Sequence, residues 1–438
     1  MKKTAVLLCI VMVLTFTLTA CSEGGGSTVD STAPVTSSQS SDGGEASGGG
    51  DPIRIGLVNP RSGSLAITGD DDHWGARIAI DMFNERGGVN GRMIETVEAD
   101  IPDAATAQTE INRLIQNENL TLITGCYGSS IVEVAASICD RNGVFWWENV
   151  SVLDRLTEQG YQSVFRTHIS GSKYGEEACK IAVEFGKTIG IEPADLTIGI
   201  ISENGDFGQS IATGIVRYAE ANNLNIVLNE LYDSKTTDTT PVVLKMKDAD
   251  PDVIIATSYI NDGIDITKKC KILNYSPKVF LGIGSGYGAA AYPESLGADA
   301  EGQIDLDPTN APVLENLDPE IKSLAEEFSV RFEAQKGYVP TTVGYLAWES
   351  TWVLCNEVIA VAGDVNDLEA LVAAAKAVDL PVGTLPTGYG IRFDEKGQNE
   401  RCVIAAMQWR DGKLVTIYPD FLATQEPIYV PMPPWNER

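Results

Sequence analysis

Between a β-branched apolar run at 120–124 and an apolar-periodic segment at 131–136 lies Gly125-Cys126-Tyr127-Gly128-Ser129-Ser130, two glycines followed by two hydroxyls. That order reads as strand, tight loop and helix N-terminus. Such a junction can hold a small anion or carbonyl. The first-turn N–H groups lack intrahelical partners and carry partial positive charge, and ligands of open parallel sheets sit just beyond the carboxyl ends of the strands. Ser129 or Ser130 serves there as the helix cap, as a hydroxyl for a ligand carboxylate or carbonyl, or as both. Arg61, in Asn59-Pro60-Arg61-Ser62-Gly63 after an earlier apolar run, either pairs with a ligand carboxylate or stays solvated. Nothing in the chain is set up to make or break a bond. There is no P-loop, no GxGxxG after a strand and no GxSxG elbow, and the two histidines, His73 and His168, have no triad setting. No catalytic residue is assigned.

The elements that must carry these residues alternate. Residues 53–59, 94–99, 120–124 and 144–147 read as strands, with helices at 74–86, 104–116 and 130–141 between them. The rhythm restarts after a connecting strand at 163–167, with strands at 196–202, 226–231, 253–257 and 278–281. Helices at 174–188, 207–221, 241–247 and 263–273 separate these strands. Strand and helix at this interval mean βαβ units with right-handed crossovers, so two runs predict two doubly wound α/β lobes, each with a parallel sheet. Helices at 320–336, 341–362 and 368–377 follow, then 403–409 and 414–418 alternate around Asp411-Gly412 like a hairpin.

With 438 residues there is room for two domains and terminal extensions. The 61 acidic against 32 basic residues give a net charge of −29, which excludes nucleic acid as a partner. Two histidines exclude a His-rich metal centre, the eight cysteines show no CxxC pair, and no cofactor is expected. At the amino terminus Lys2 and Lys3 precede an apolar stretch at 5–18 and then Leu18-Thr19-Ala20-Cys21. This is a secretory signal whose end resembles the lipobox of bacterial lipoproteins, with cleavage leaving Cys21 first and acylated. The apolar stretch is short for a membrane span of about 20 residues, so acyl chains are the expected anchor. Residues 22–51 are almost all Gly, Ser, Thr, Asp, Glu and Ala, a tether with a root-mean-square reach of about 30 Å. The expected location is therefore outside the cytoplasm, tied to the cell membrane.

Over 52–420 the chain resembles the type I periplasmic solute-binding proteins of ABC importers, in particular the leucine/isoleucine/valine-binding branch. Ile55-Gly56-Leu57-Val58-Asn59-Pro60-Arg61-Ser62-Gly63 is similar to that branch's opening strand and loop. Gly75-Ala76-Arg77-Ile78-Ala79-Ile80 and Asn84-Glu85-Arg86-Gly87-Gly88-Val89-Asn90-Gly91 match its first helix and exit turn. Leu156-Thr157-Glu158-Gln159-Gly160-Tyr161 with Phe165-Arg166-Thr167 matches the passage between lobes, and Phe393-Asp394-Glu395-Lys396-Gly397 the family's C-terminal Phe-Asp-x-x-Gly. The resemblance implies three crossings between lobes. Lobe one is then 52–168 plus 305–398 and lobe two 169–304 plus 399–425, with a tail at 426–438. It also implies a ligand trapped by hinge closure and handed to ABC permease subunits by a monomeric binding protein that is no enzyme. A second reading is a ligand-sensing component of a signalling complex on the same fold.

The same resemblance assigns the ligand's carboxylate to Ser129, with Ser130 close behind. It places Ser151 on the next loop, where Val152 occupies the usual threonine position, and Phe207 and Tyr259 on loops of lobe two. Where amino-acid binders of this branch carry an acid, this chain has Ile283-Gly284-Ser285-Gly286-Tyr287-Gly288. Either Asp206, Asp262 or Glu148 stands in, or the ligand has no ammonium, because an unpaired buried ammonium costs several kcal/mol. Large aromatics crowd these loops: Trp74, Tyr127, Tyr174, Phe207, Tyr259 and Tyr287, with Trp146 and Trp147 ending a strand. Aromatic faces suit aromatic or cationic ligands, although one of the two adjacent tryptophans must face the core. Most of Cys126, Cys139, Cys179, Cys270, Cys355 and Cys402 are expected as buried thiols, since the family's early disulfide site reads Asp100-Ile101-Pro102-Asp103 here.

Overall fold

A computed structural model describes residues 50–310 and 317–438. The signal segment, Cys21 and most of the tether lie outside the described residues. Among the described residues no helix is long and apolar enough to cross a membrane.

The first run comprises β1 (Ile53–Asn59), α1 (Ala66–Glu85), β2 (Ile94–Asp100), α2 (Ala104–Gln116), β3 (Leu122–Gly125), α3 (Ser129–Arg141), β4 (Phe145–Glu148), α4 (Arg155–Glu158) and β5 (Val164–Arg166). Its strands form one parallel sheet in the order β2-β1-β3-β4-β5. The connecting strand expected at 163–167 is thus the edge strand β5, with Trp147 level with Phe165. Helices cover both faces, so central strands are buried on both sides and read as unbroken apolar runs. Trp146 and Trp147 are for this reason both fully buried, one against Ile123 and Ile131, the other against Phe145 and Phe165.

The second run comprises α5 (Gly171–Thr188), β6 (Thr197–Glu203), α6 (Asp206–Asn222), β7 (Asn225–Tyr232), α7 (Thr240–Ala249), β8 (Val253–Thr257), α8 (Ile260–Ile272), β9 (Val279–Ile283), α9 (Ser285–Gly288), α10 (Ala291–Leu296) and β10 (Ile304–Asp307). The chain then supplies α11 (Pro319–Lys336), α12 (Thr342–Val353), α13 (Ala360–Ala362) and α14 (Leu368–Ala377); Phe328 and Phe332 of α11 pack with Ile78 and Met82 of α1, while Val343, Leu346, Leu371 and Ala374 share a core with Ile53 and Ile55. The helix expected over 341–362 is interrupted by a π-helical turn at Leu354–Ile359. Last come β11 (Ala405–Arg410) and β12 (Lys413–Tyr418), an antiparallel hairpin added to the second sheet, whose order is β12-β11-β10-β9-β8-β6-β7. Because β10 pairs in parallel with β9, the second crossing falls after Asp307, a few residues beyond the expected boundary at 305.

The first and third crossings run side by side. Arg166 donates its N–H to the carbonyl of Gly397 at 2.8 Å and accepts from Asn399 N–H at 3.0 Å. The Arg166 guanidinium is buried and holds Gln398 Oε1 at 2.7 Å, the Leu153 carbonyl and Thr157 Oγ1 at 3.2 Å. Burial pushes its pKa down to about 10, with Asp154 and Glu148 opposing that shift. Among the described residues six cysteines are free thiols, five of them buried and Cys402 partly so.

Candidate functional site

The β3–α3 loop makes the first wall of a cleft between the sheets. Its backbone folds back on itself, with Gly125, Cys126 and Gly128 at φ +108°, +83° and +99°. Cys126 therefore sits in a conformation costly for a residue with a Cβ, a kind of strain that concentrates at ligand loops. The cap of α3 is Gly128, not a serine: Ile131 and Val132 donate to the Gly128 carbonyl, and Ser129 and Ser130 are the first two helical residues. Their hydroxyls are free for other work. Ser129 Oγ accepts from Ser151 Oγ at 3.3 Å, and Ser130 Oγ donates to Asp206 Oδ2 at 2.8 Å.

A narrow cavity opens here between the two sheets. The first sheet's loops contribute Tyr127, Gly128, Ser129, Val150, Ser151 and Val152. The second lobe contributes Tyr174, Phe207, Tyr259, Gly284, Ser285 and Asp307, while His168 comes from the first crossing and Val343 and Leu346 from α12. Gly284 is needed at φ +85°, and a Cβ there would lie 2.7 Å from Phe207 Cζ, so the glycine lets the ring pack over the loop. Phe207 and Tyr259 tilt together at 5.3 Å, and Tyr127 meets Tyr259 edge-on at 6.3 Å.

Five of the nine expected ligand residues thus converge: Tyr127, Ser129, Ser151, Phe207 and Tyr259. Four lie elsewhere. Ser130 is on the lip, tied to Asp206. Arg61 is a half-exposed loop residue paired with Glu98 at 3.0 Å and Asp70 at 3.5 Å. Trp74 packs beside Phe328 and Trp348 in a helical subcore and meets His73 edge-on. Tyr287 is buried beneath the cleft with its hydroxyl 2.9 Å from Ser258 Oγ. Of the acids expected to replace the missing one, none lines the cavity. Asp206 is held by Arg155 at 2.8 Å, Asp262 accepts from Tyr232 at 2.5 Å, and Glu148 accepts from the N–H groups of Val150 and Ser151. The acid that does line it is Asp307, two residues before the second crossing's Thr309, a position with no local motif to announce it.

Several bonds join the lobes across this cleft. Tyr127 Oη and Ser285 Oγ lie 2.7 Å apart. At the lip Arg155 reaches both Glu133 and Asp206, and Asp206 also accepts from Ser130. The walls are otherwise apolar and neutral. Burial pushes the His168 imidazole down to about 3, with Arg166 adding to the effect, so the ring is uncharged. Burial also raises the phenols of Tyr127, Tyr174 and Tyr259. Among the described residues no group of three His, Cys, Asp or Glu side chains is placed to hold a metal ion.

Two α/β lobes with parallel-dominated sheets and a cleft at their strand ends define the architecture of solute-binding proteins. The chain belongs to the periplasmic binding protein family, whose profile matches residues 52–413. It is 30% identical over 370 residues to Leu/Ile/Val-binding protein homolog 8 of Brucella abortus, covering 84% of this chain and 91% of that one. To homolog 7 of Brucella suis it is 32% identical over 380 residues, covering 85% and 93%. The fold matches the branched-chain amino acid transporter substrate-binding protein LivJ of Streptococcus pneumoniae, solved with isoleucine, at TM-score 0.70 and 20% identity over 84% of this chain and all of that one. It matches equally, at TM-score 0.70 and 18% identity, an ABC transporter solute-binding protein of R. palustris solved with benzoate, covering 84% and 95%.

Proposed function

We propose that this protein is an extracytoplasmic lipoprotein, anchored through Cys21, that captures a small polar organic solute between its lobes and delivers it to the membrane subunits of an ABC permease. The cleft carries this reading: one cavity takes its walls from both sheets and from α12, so a molecule inside bridges the lobes and favours their closed arrangement. Lobe one is then 52–168 with the helices α11 to α14, and lobe two is the α5–β10 run with the β11–β12 hairpin. A ligand carboxylate sits at the start of α3, taking hydrogen bonds from the Ser129 hydroxyl and first-turn N–H groups and the favourable helix dipole. Tyr127, Phe207, Tyr259, Val343 and Leu346 enclose its apolar part. Neighbours of this fold solved with isoleucine and with benzoate support a ligand of that size that carries a carboxylate.

A thermal-shift screen of the purified protein over amino acids, amides and aromatic acids tests it, since a ligand that binds only the folded state raises Tm. At least one compound should raise it, and no shift from any would sink the reading. For that compound Ser129→Ala should weaken binding by about 1 to 3 kcal/mol, because a desolvated carboxylate loses a donor. Unchanged affinity in a titration would remove Ser129 from the site. Cys21→Ser should move the protein from the membrane fraction to the soluble extracytoplasmic fraction; retention with membranes would exclude the anchor.

A further inference from the structure

We propose that Asp307 selects a ligand bearing a cationic nitrogen, with its unpartnered carboxylate oxygen as the acceptor. The proposal rests on the solute-binding reading above and adds the chemical class of the ligand's second polar end. Asp307 closes β10 and lines the cleft while itself buried. Its Oδ1 accepts from Tyr174 Oη on α5 at 2.5 Å, and its Oδ2 accepts from no described residue. A carboxylate oxygen at the wall of an interlobe cleft, with no hydrogen bond from a described residue, is an acceptor open to a donor.

The surroundings decide which donor. Asp307 has Tyr174 on α5, Tyr127 on the β3–α3 loop, Tyr389 on the returning chain, and its own strand neighbour Asp305 close enough to interact. His168 at the cleft wall is neutral and shares a hydrogen bond with Tyr389 Oη at 3.0 Å. Asp305 is fully buried, and neither of its oxygens has a hydrogen bond. Among the described residues no lysine or arginine forms an ion pair with either aspartate, and Arg166 is spent on Gln398, Leu153 and Thr157. Two carboxyl groups sharing a dry site without a cation cannot both be ionised. The β9–α9 segment, Gly284-Ser285-Gly286-Tyr287-Gly288, adds no charge of either sign. A cationic ligand would supply the positive charge that the lining lacks and so favour the ionised form of Asp307 over the protonated one.

A consequence follows for pH. Burial raises Asp307 to about 7 and Asp305 well above the usual carboxylate range, so without a ligand Asp307 is part-protonated near neutrality. An entering ammonium favours the ionised form of Asp307, and that proton leaves to solvent as the ligand binds. Below about pH 7 the proton must first be removed, so affinity for a cationic ligand falls by up to about tenfold per pH unit, while above it the affinity levels off. An acid lacking the amine behaves oppositely, because it needs Asp307 protonated and is repelled as the pH rises through about 7.

Calorimetric titration of the purified protein with matched pairs reads this directly: L-leucine against 4-methylpentanoate, and L-phenylalanine against 3-phenylpropanoate, with benzoate as an amine-free aromatic acid. At about pH 8.5 the amine member of at least one pair should bind at least about tenfold tighter than its twin. At about pH 7, titrations in phosphate and in Tris should show a fraction of a proton released per ligand, and more at about pH 6. Asp307→Asn should abolish both the discrimination and the proton release, and should remove the fall in affinity of the amine-free twin as the pH rises through about 7. The wild-type comparison needs no variant, so a misfolded Asp307→Asn protein leaves the proposal exposed to test. Equal binding of both twins, tighter binding of the amine-free twin at about pH 8.5, or discrimination that survives Asp307→Asn overturns the proposal and leaves solute binding standing. Heat from none of these compounds at any pH, together with a silent thermal-shift screen, overturns both.

Discussion

Arg166→Met should lower the free energy of unfolding by about 3–5 kcal/mol, the cost typical of removing one member of a buried charge network. The side chain is buried where two interlobe segments run together, and it satisfies Gln398 Oε1, the Leu153 carbonyl and Thr157 Oγ1 at once. Methionine fills most of the volume but donates nothing, so those acceptors are left buried and Glu148 and Asp154 lose the cation that lowers their pKa. The backbone bonds that tie Arg166 to Gly397 and Asn399 survive the substitution, so the fold should persist with a lower denaturation midpoint. Urea unfolding followed by far-UV circular dichroism measures it. A loss below about 1 kcal/mol would show that water or neighbouring side chains replace the guanidinium, and that the first crossing does not depend on it.

Trp147→Ala carries an expected loss of similar size, about 3–5 kcal/mol, for a different reason. Trp147 is fully buried in an aromatic stack, with ring centroids 6.2 Å from Phe145, 6.5 Å from Phe165 and 5.4 Å from Phe393, the last edge-on. Its Nε1 donates to Ser350 Oγ at 2.9 Å, and Ser350 in turn donates to Asn149 Oδ1 and accepts from Thr167. Alanine leaves a cavity below the loop that carries Val150 and Ser151, so ligand affinity should fall together with stability. Trp147→Phe keeps most of the stack but loses the donor and part of the ring volume, with an expected cost of about 1–2 kcal/mol. Equal destabilisation by both substitutions would mean that the hydrogen-bonded network, not the packed volume, holds this face.

The parts of the architecture that depend on local pattern were legible. Strand β1 occupies the expected 53–59, α2 the expected 104–116 and α14 the expected 368–377, because each is bounded by its own turn residues and filled by its own periodicity. Alternatives stayed open where a neighbour decided. Ser129 read as an N-cap on propensity, but Gly128 can adopt φ +99° and takes that place, which frees both serine hydroxyls. Trp146 and Trp147 could not be divided into core and cleft, since only the closing of helices over both sheet faces buries both. Arg61 and Trp74 looked available because a sequence does not show that Glu98 and Asp70 hold the one and that α11 and α12 cover the other.

By itself the sequence determined the alternation of strands and helices, the division into two sheets and the place of the serine loop after the third strand. These are short-range matters, set by periodicity and turn chemistry. Only the tertiary structure decided which acid faces the cleft and what shares it. Asp307, His168, Val343 and Leu346 are brought to Ser129 by chain crossings that span up to about 220 residues, and no local pattern encodes a neighbour so distant in sequence.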